Sequence, residues 1–172
     1  MAVSYTHLLG YPGGPLIEKT ALGGNPQAVS FPRVHLENSL DFSFSGVKTA
    51  VMNYLHKAEQ KKQPVDSHDI AASFQDAVVE VLVQNTINAA EMKNAPAICL
   101  AGGVASNKRL RDKLGETAQK RGFSLYYPPG VLCTDNAAMI CCAGYYQLQK
   151  GLAADLTLNA YPSIRLGESF VM

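Results

Sequence analysis

The sequence predicts an α/β domain, and three observations carry that expectation. First, a short apolar run, Ala97 to Leu100, is followed by Ala101-Gly102-Gly103, a segment with Leu110, Leu114 and Ala118 at helical spacing, and a second apolar run, Phe123 to Tyr127. Strand, turn, helix and strand over about 30 residues make a crossover between parallel strands, right-handed by the usual chirality. Second, helical periodicity dominates the rest of the chain. Third, 172 residues of which 47% are hydrophobic are enough for one domain with a real core.

Taken in order, Leu9 to Pro15 is rich in glycine and proline and reads as a turn opening a short helix, Leu16 to Leu22, closed by Gly23-Gly24. Ala28 to Phe31 and Leu40 to Phe44 read as two short strands, the second with Leu40, Phe42 and Phe44 on one face. Together they would make a hairpin. Gly46 to Lys57 carries Val47, Val51, Tyr54 and Leu55 at helical spacing. A polar linker, Gln60 to Val65, leads to the longest helix. Asp66 is its expected N-cap, Ile70, Phe74, Ala77, Val78, Val81 and Leu82 its buried stripe, and Pro96 the reason it stops near Met92. After the crossover, whose helix Gly122 ends, a last helix from Asp135 to about Gln149 is apolar nearly all round, so it is expected to be buried. Leu152 to Met172 reads as an irregular tail.

Composition excludes several classes of function. No stretch approaches the ~18 consecutive apolar residues of a membrane span, and the first residues, lacking a basic start followed by an apolar run, do not read as a secretory signal. A cytoplasmic chain is expected. Fifteen basic and 14 acidic residues give a net charge of +1, so the chain as a whole is no electrostatic binder of nucleic acid. Lys108, Arg109, Arg111 and Lys113, continued by Lys120 and Arg121, are a local exception, read first as a solvated helix face. Cys99, Cys133, Cys141 and Cys142 include no Cys-x-x-Cys pair, and three of them sit in apolar sequence, where a thiol acts as a small buried hydrophobe. His7, His35, His56 and His68 are scattered, with no one-turn pair to hold a metal.

Four segments can carry chemistry, each with a plainer alternative. Gly102-Gly103 stands where a strand ends and a helix begins, so the backbone can approach a ligand and free amides can meet an anion; the same glycines also serve a bare turn. Asn107 can offer its amide to ribose hydroxyls or simply face water. Asp135, in Thr134-Asp135-Asn136, reads on spacing as a helix cap. Ser45 reads as another cap, with Lys48 placed to pair with a phosphate, and Gly13-Gly14 in Tyr11-Pro12-Gly13-Gly14-Pro15 allows close backbone approach or only a turn.

As an ordered set these segments closely resemble the TsaD family, also called Gcp. The resemblance rests on Tyr11-Pro12-Gly13-Gly14-Pro15, then Asp41-Phe42-Ser43-Phe44-Ser45-Gly46-Val47-Lys48-Thr49, then Ala101-Gly102-Gly103-Val104-Ala105-Ser106-Asn107, then Cys133-Thr134-Asp135-Asn136-Ala137-Ala138-Met139-Ile140. It implies the second, ribonuclease-H-like lobe of the two-lobed fold shared by actin, Hsp70 and sugar kinases, with added helices and the first lobe missing. The lobe would run over residues 8–150, after a leader, residues 1–7, unlike the family, and before a tail, residues 151–172. By resemblance, the activity is transfer of a threonylcarbamoyl group from threonylcarbamoyl-AMP to the exocyclic amine of the adenosine following the anticodon, in tRNAs that read codons beginning with A. Gly14 and Asn107 would contact the adenylate, Gly102 and Gly103 would line its pocket, and Asp135 would bind one divalent metal, iron or zinc. Implied partners are tRNA and TsaB-like and TsaE-like subunits. The family's two metal histidines, four residues apart on a first-lobe helix, have no counterpart here, so the isolated chain is expected to be inactive, to bind nucleotide weakly and to expose apolar surface. A phosphotransferase of the same superfamily and a non-catalytic scaffold are the alternatives. No Ser/His/Asp or Cys/His set supports peptide hydrolysis, and no catalytic side chain is assigned.

Overall fold

A computed structural model describes residues 12–36, 39–159 and 163. They divide into two compact units, one ending at Thr134 and the other beginning at Asp135. In the first, α1 (Gly13–Ala21), α2 (Ser45–Gln60) and the 26-residue α3 (Ser67–Met92) precede β1 (Ala97–Cys99), α4 (Lys108–Lys120) and β2 (Ser124–Tyr126). Single 3-10 turns occupy Gly103–Ser106 and Gly130–Leu132.

The long helix is the axis of the first unit. Asp66 caps it, accepting a hydrogen bond from His68 N at 2.7 Å, and its stripe is inside: Ile70, Phe74, Ala77 and Val81 are buried, with Val78 and Leu82 half-buried. It serves two cores. Its first half packs on Ile17 of α1, Phe31, and Val47 and Val51 of α2. Its second half, with Val79, Val83 and Ile87, packs on Ile98 of β1 and on Leu110, Leu114 and Ala118 of α4. Asn94 ends it in the left-handed region at φ 47°, with Ala95 N bonded to Ala90 O and Asn94 N to Glu91 O, so the last carbonyls are satisfied just before Pro96. The ends of α2 at Lys62 and of α4 at Gly122 repeat that arrangement.

The strand–helix–strand order and the parallel pairing form as expected. β1 and β2 pair in parallel, Ala97 opposite Ser124 and Cys99 opposite Tyr126, with α4 between them; this is the whole sheet among the described residues. An α/β unit dominated by helices, with a small parallel sheet, is therefore the observed class.

Four expectations are corrected. The hairpin is absent: Ala28 to Phe31 and Leu40 to Phe44 are irregular. Backbone groups need partners but do not specify which, and here α3 supplies them. Buried Ser73 accepts from Val29 N at 3.1 Å and donates to Asn25 O at 3.2 Å. Buried Asn85 donates to Leu40 O at 3.3 Å and Asp41 O at 3.1 Å. The alternation in the second run survives only as Phe42 stacked on Phe44, centroids 5.9 Å apart. Next, α1 starts at Gly13, so Gly14 and Pro15 lie in its first turn rather than in a turn before it; proline's fixed φ and missing N–H suit that position. Ser45 is the first helical residue of α2, and Phe44 precedes it without a side-chain cap bond. Finally, only Cys133 is buried; Cys99, Cys141 and Cys142 are exposed.

The second unit holds α5 (Ala137–Gln149). The helix lies where its pattern placed it, but none of its residues is buried, and Ile140, Tyr146 and Leu148 are largely exposed. Periodicity reports that a surface is apolar and not what covers it. Expectations for residues 1–7 and for most of the tail fall outside the described residues.

Candidate functional site

Three chain segments meet at the carboxyl end of β1, the end at which open α/β sheets bind ligands. After Leu100 and Ala101, Gly102 takes φ 86° and ψ 170°, a conformation open essentially to glycine alone. That kink throws the chain into the 3-10 turn Gly103–Ser106, with Gly102 O accepting from Ala105 N at 2.9 Å. The first amides of such a turn have no preceding carbonyl in reach. Those of Gly103 and Val104 make no hydrogen bond among the described residues, and both residues are exposed. A Cβ on Gly103 would meet only Thr134 Cγ2, 4.0 Å away.

Asn107 does not simply face water. It is the N-cap of α4: Oδ1 accepts from Leu110 N at 2.9 Å and Nδ2 donates to Gln75 Oε1 at 3.0 Å. Glu18, from α1, takes the amide of Lys108 at 2.7 Å. Two amides at the start of α4, those of Lys108 and Leu110, are thus already used, while those of Gly103 and Val104 upstream stay open among the described residues.

The contact through Glu18 also ties α1 to the start of α4. Gly14 stands four residues earlier on α1, about one helical turn or 6 Å along the axis. Pro12 provides no side-chain cap there, and no acidic residue occupies the first turn, so among the described residues nothing opposes the positive end of the helix dipole. A Cβ on Gly14 would meet nothing within 4 Å. Gly102, Gly103 and Asn107 therefore belong to one region of the first unit, which α1 reaches through Glu18. Glu18 and Gln75 join them without warning from the sequence, because Glu18 meets Lys108 across 90 positions and Gln75 meets Asn107 across 32.

The basic row of α4 is largely consumed by the protein itself. Arg111 donates to Ala105 O and Pro128 O, contacts Cys133 Sγ at 3.0 Å and lies over the Tyr127 ring at 4.6 Å, bracing the 3-10 turn. Arg121 pairs with Glu91, and Lys108 with Asp112. Arg109 and Lys113 turn to buried Asp76, at 2.8 and 3.5 Å, which Arg33 also reaches at 3.0 Å; Glu80 pairs with Arg33 and Lys113. Burial pushes the Asp76 carboxyl up, but the hydrogen bond from Arg109 and the attraction of Lys113 and Arg109 outweigh it, leaving the group below the usual carboxylate range. Lys48 is exposed and makes no ion pair among the described residues.

Asp135 opens the second unit and is exposed. It is not the cap: Asn136 is, accepting from Met139 N at 3.0 Å. With Asn136, Met139 and Ile140 it lines a hollow of about 350 Å³. Among the described residues no three His, Cys, Asp or Glu side chains stand together as a metal site. One carboxylate is one donor, so these residues do not by themselves fit a divalent ion. No helix among them is long and apolar enough to cross a membrane.

A small parallel sheet with a glycine kink and open amides at a strand end defines the class as an α/β protein. Comparison with known proteins makes this specific. The family model TsaD, described as tRNA N6-adenosine threonylcarbamoyltransferase, matches residues 1–142, and the chain belongs to that family. A protein named tRNA N6-adenosine threonylcarbamoyltransferase in Clostridium perfringens (strain ATCC 13124) is 52% identical over 161 residues, 93% of this chain and 48% of the relative. One of the same name in Desulfitobacterium hafniense (strain Y51) is 54% identical over 165 residues, covering 95% and 48%. The chain spans about half the length of the curated relatives it matches.

Proposed function

We propose that this chain forms one wall of the adenylate pocket of a tRNA N6-adenosine threonylcarbamoyltransferase. The observation that carries the reading is identity above 50% to proteins of that name across more than nine-tenths of the chain. In this reading the lobe is ribonuclease-H-like, and Gly14, Gly102, Gly103 and Asn107 receive threonylcarbamoyl-AMP. The open amides of Gly103 and Val104 and the positive end of α1 suit its phosphate and ribose oxygens. The reaction is acyl transfer. The exocyclic nitrogen of adenosine attacks the carbamoyl carbon, a new C–N bond forms, and the C–O bond to phosphate breaks. AMP departs with the electron pair, and the amine loses a proton. A base in a single-stranded tRNA loop is free to enter such a pocket. In the same reading Asp135 would give a single carboxylate to an iron or zinc ion. TsaB-like and TsaE-like partners and a cytoplasmic location belong to the same proposal.

The test compares the purified 172-residue chain with a relative of full family length, each given unmodified tRNA and threonylcarbamoyl-AMP, with nucleosides read by mass spectrometry. The full-length protein forms threonylcarbamoyladenosine and this chain does not, while the chain binds AMP in the millimolar range, about 4 kcal/mol. Turnover by the chain alone overturns its role as a single wall. Loss of AMP binding overturns the pocket.

A further inference from the structure

The carboxamides of Asn107 and Gln75 form a hydrogen-bond chain whose direction is set from one end. Leu110 N can only donate, so the Asn107 atom 2.9 Å from it is the acceptor Oδ1. Nδ2 then faces Gln75, and because an amide nitrogen can only donate, Gln75 must turn Oε1 toward it, at 3.0 Å. One backbone amide of α4 thereby decides the orientation of two carboxamides. The donors left unused at this corner are the second Nδ2 hydrogen of Asn107 and the Nε2 hydrogens of Gln75, which make no hydrogen bond among the described residues. Without Gln75 the cap bond would survive, but Nδ2 would lose its partner, and the terminal torsion of an asparagine is broad.

We infer that Gln75 is a positioning residue of this pocket. It holds the Asn107 carboxamide so that the free Nδ2 hydrogen, with the amides of Gly103 and Val104, meets oxygen acceptors of a bound adenylate, on ribose or phosphate, and not the adenine amine. The inference rests on the reading of Asn107 as an adenylate contact. Gln75 sits on α3, whose neighbours Phe74, Asp76 and Ala77 are buried, so the platform carrying it is rigid while its own side chain is half-buried.

The experiment uses the whole chain, uniformly labelled with ¹⁵N, and four forms: parent, Gln75→Leu, Gln75→Glu and Asn107→Ala. The first measurement needs no ligand. The Asn107 side-chain amide hydrogens are inequivalent and protected in the parent and in Gln75→Glu, which keeps an acceptor, and exchange faster in Gln75→Leu; an unchanged Asn107 signal in Gln75→Leu overturns the proposal. The second measurement titrates AMP and, separately, adenosine. Gln75→Leu weakens binding by about tenfold, the worth of one well-placed hydrogen bond, and Gln75→Glu restores it. An equal loss for both ligands assigns the contact to ribose, and a loss for AMP alone assigns it to phosphate. Asn107→Ala binding as the parent does refutes the underlying pocket. Asn107→Ala weakening while Gln75→Leu binds as the parent leaves the pocket standing and refutes the positioning role.

Discussion

Asp76→Asn is the sharpest test of how the first unit holds together. The Asp76 side chain is 11% exposed and takes charged hydrogen bonds from Arg109 at 2.8 Å and Arg33 at 3.0 Å, with Lys113 at 3.5 Å. Two such bonds are worth about 1.5–3 kcal/mol each when fully desolvated. Arg33 and Arg109 are 32% and 47% exposed, so each regains water when its partner is neutralised, which removes roughly half of that value. Asparagine also keeps one acceptor oxygen. The expected loss is therefore about 2 kcal/mol. With a urea slope of about 1.5 kcal/mol per molar, the unfolding midpoint should fall by roughly 1.3 M. A shift under about 0.3 M would mean that the cluster is a solvated surface feature, and that α3 and α4 are not joined through it. The pH dependence has a definite sign. The folded carboxyl is held below its ordinary value, so its stabilisation is complete above an unfolded pKa of about 3.9 and is lost as pH falls through the folded value. The Asp76→Asn variant should show a flatter stability profile in that acidic window.

Other expectations follow from the backbone. A Cβ at Gly24 would lie 2.1 Å from His68 O and 2.4 Å from His68 C, at the rigid first turn of α3; Gly24→Ala should cost about 2–3 kcal/mol, seen as a lower melting temperature, and wild-type stability would refute that close approach. Gly103→Ala has room for its methyl, so circular dichroism and melting should match the parent while AMP binding weakens several-fold. An unfolded variant refutes the geometry, and unchanged AMP binding refutes the ligand role. Lys62 holds the left-handed C-terminal position of α2 at φ 51°, so Lys62→Gly should raise stability by about 0.5–1 kcal/mol in urea unfolding. No gain there would show that α2 frays before Lys62.

By itself the sequence determined whatever depends on neighbours along the chain. The Asp66 cap, the stripe from Ile70 to Val81, the stop before Pro96 and the strand–Gly-Gly–helix–strand crossover are local patterns, and each formed where its spacing placed it. The ordered motifs likewise led to the TsaD family, because four short segments in series need no knowledge of contacts. Tertiary structure alone decided which groups answer one another. Ser73 and Asn85 took the backbone bonds that a hairpin would have made, Asn107 became a cap tied to Gln75, and Glu18 reached the start of α4. Those partners lie 32 to 90 positions apart. A hydrogen-bonding group announces in sequence that it needs a partner, and only packing brings one within about 3 Å.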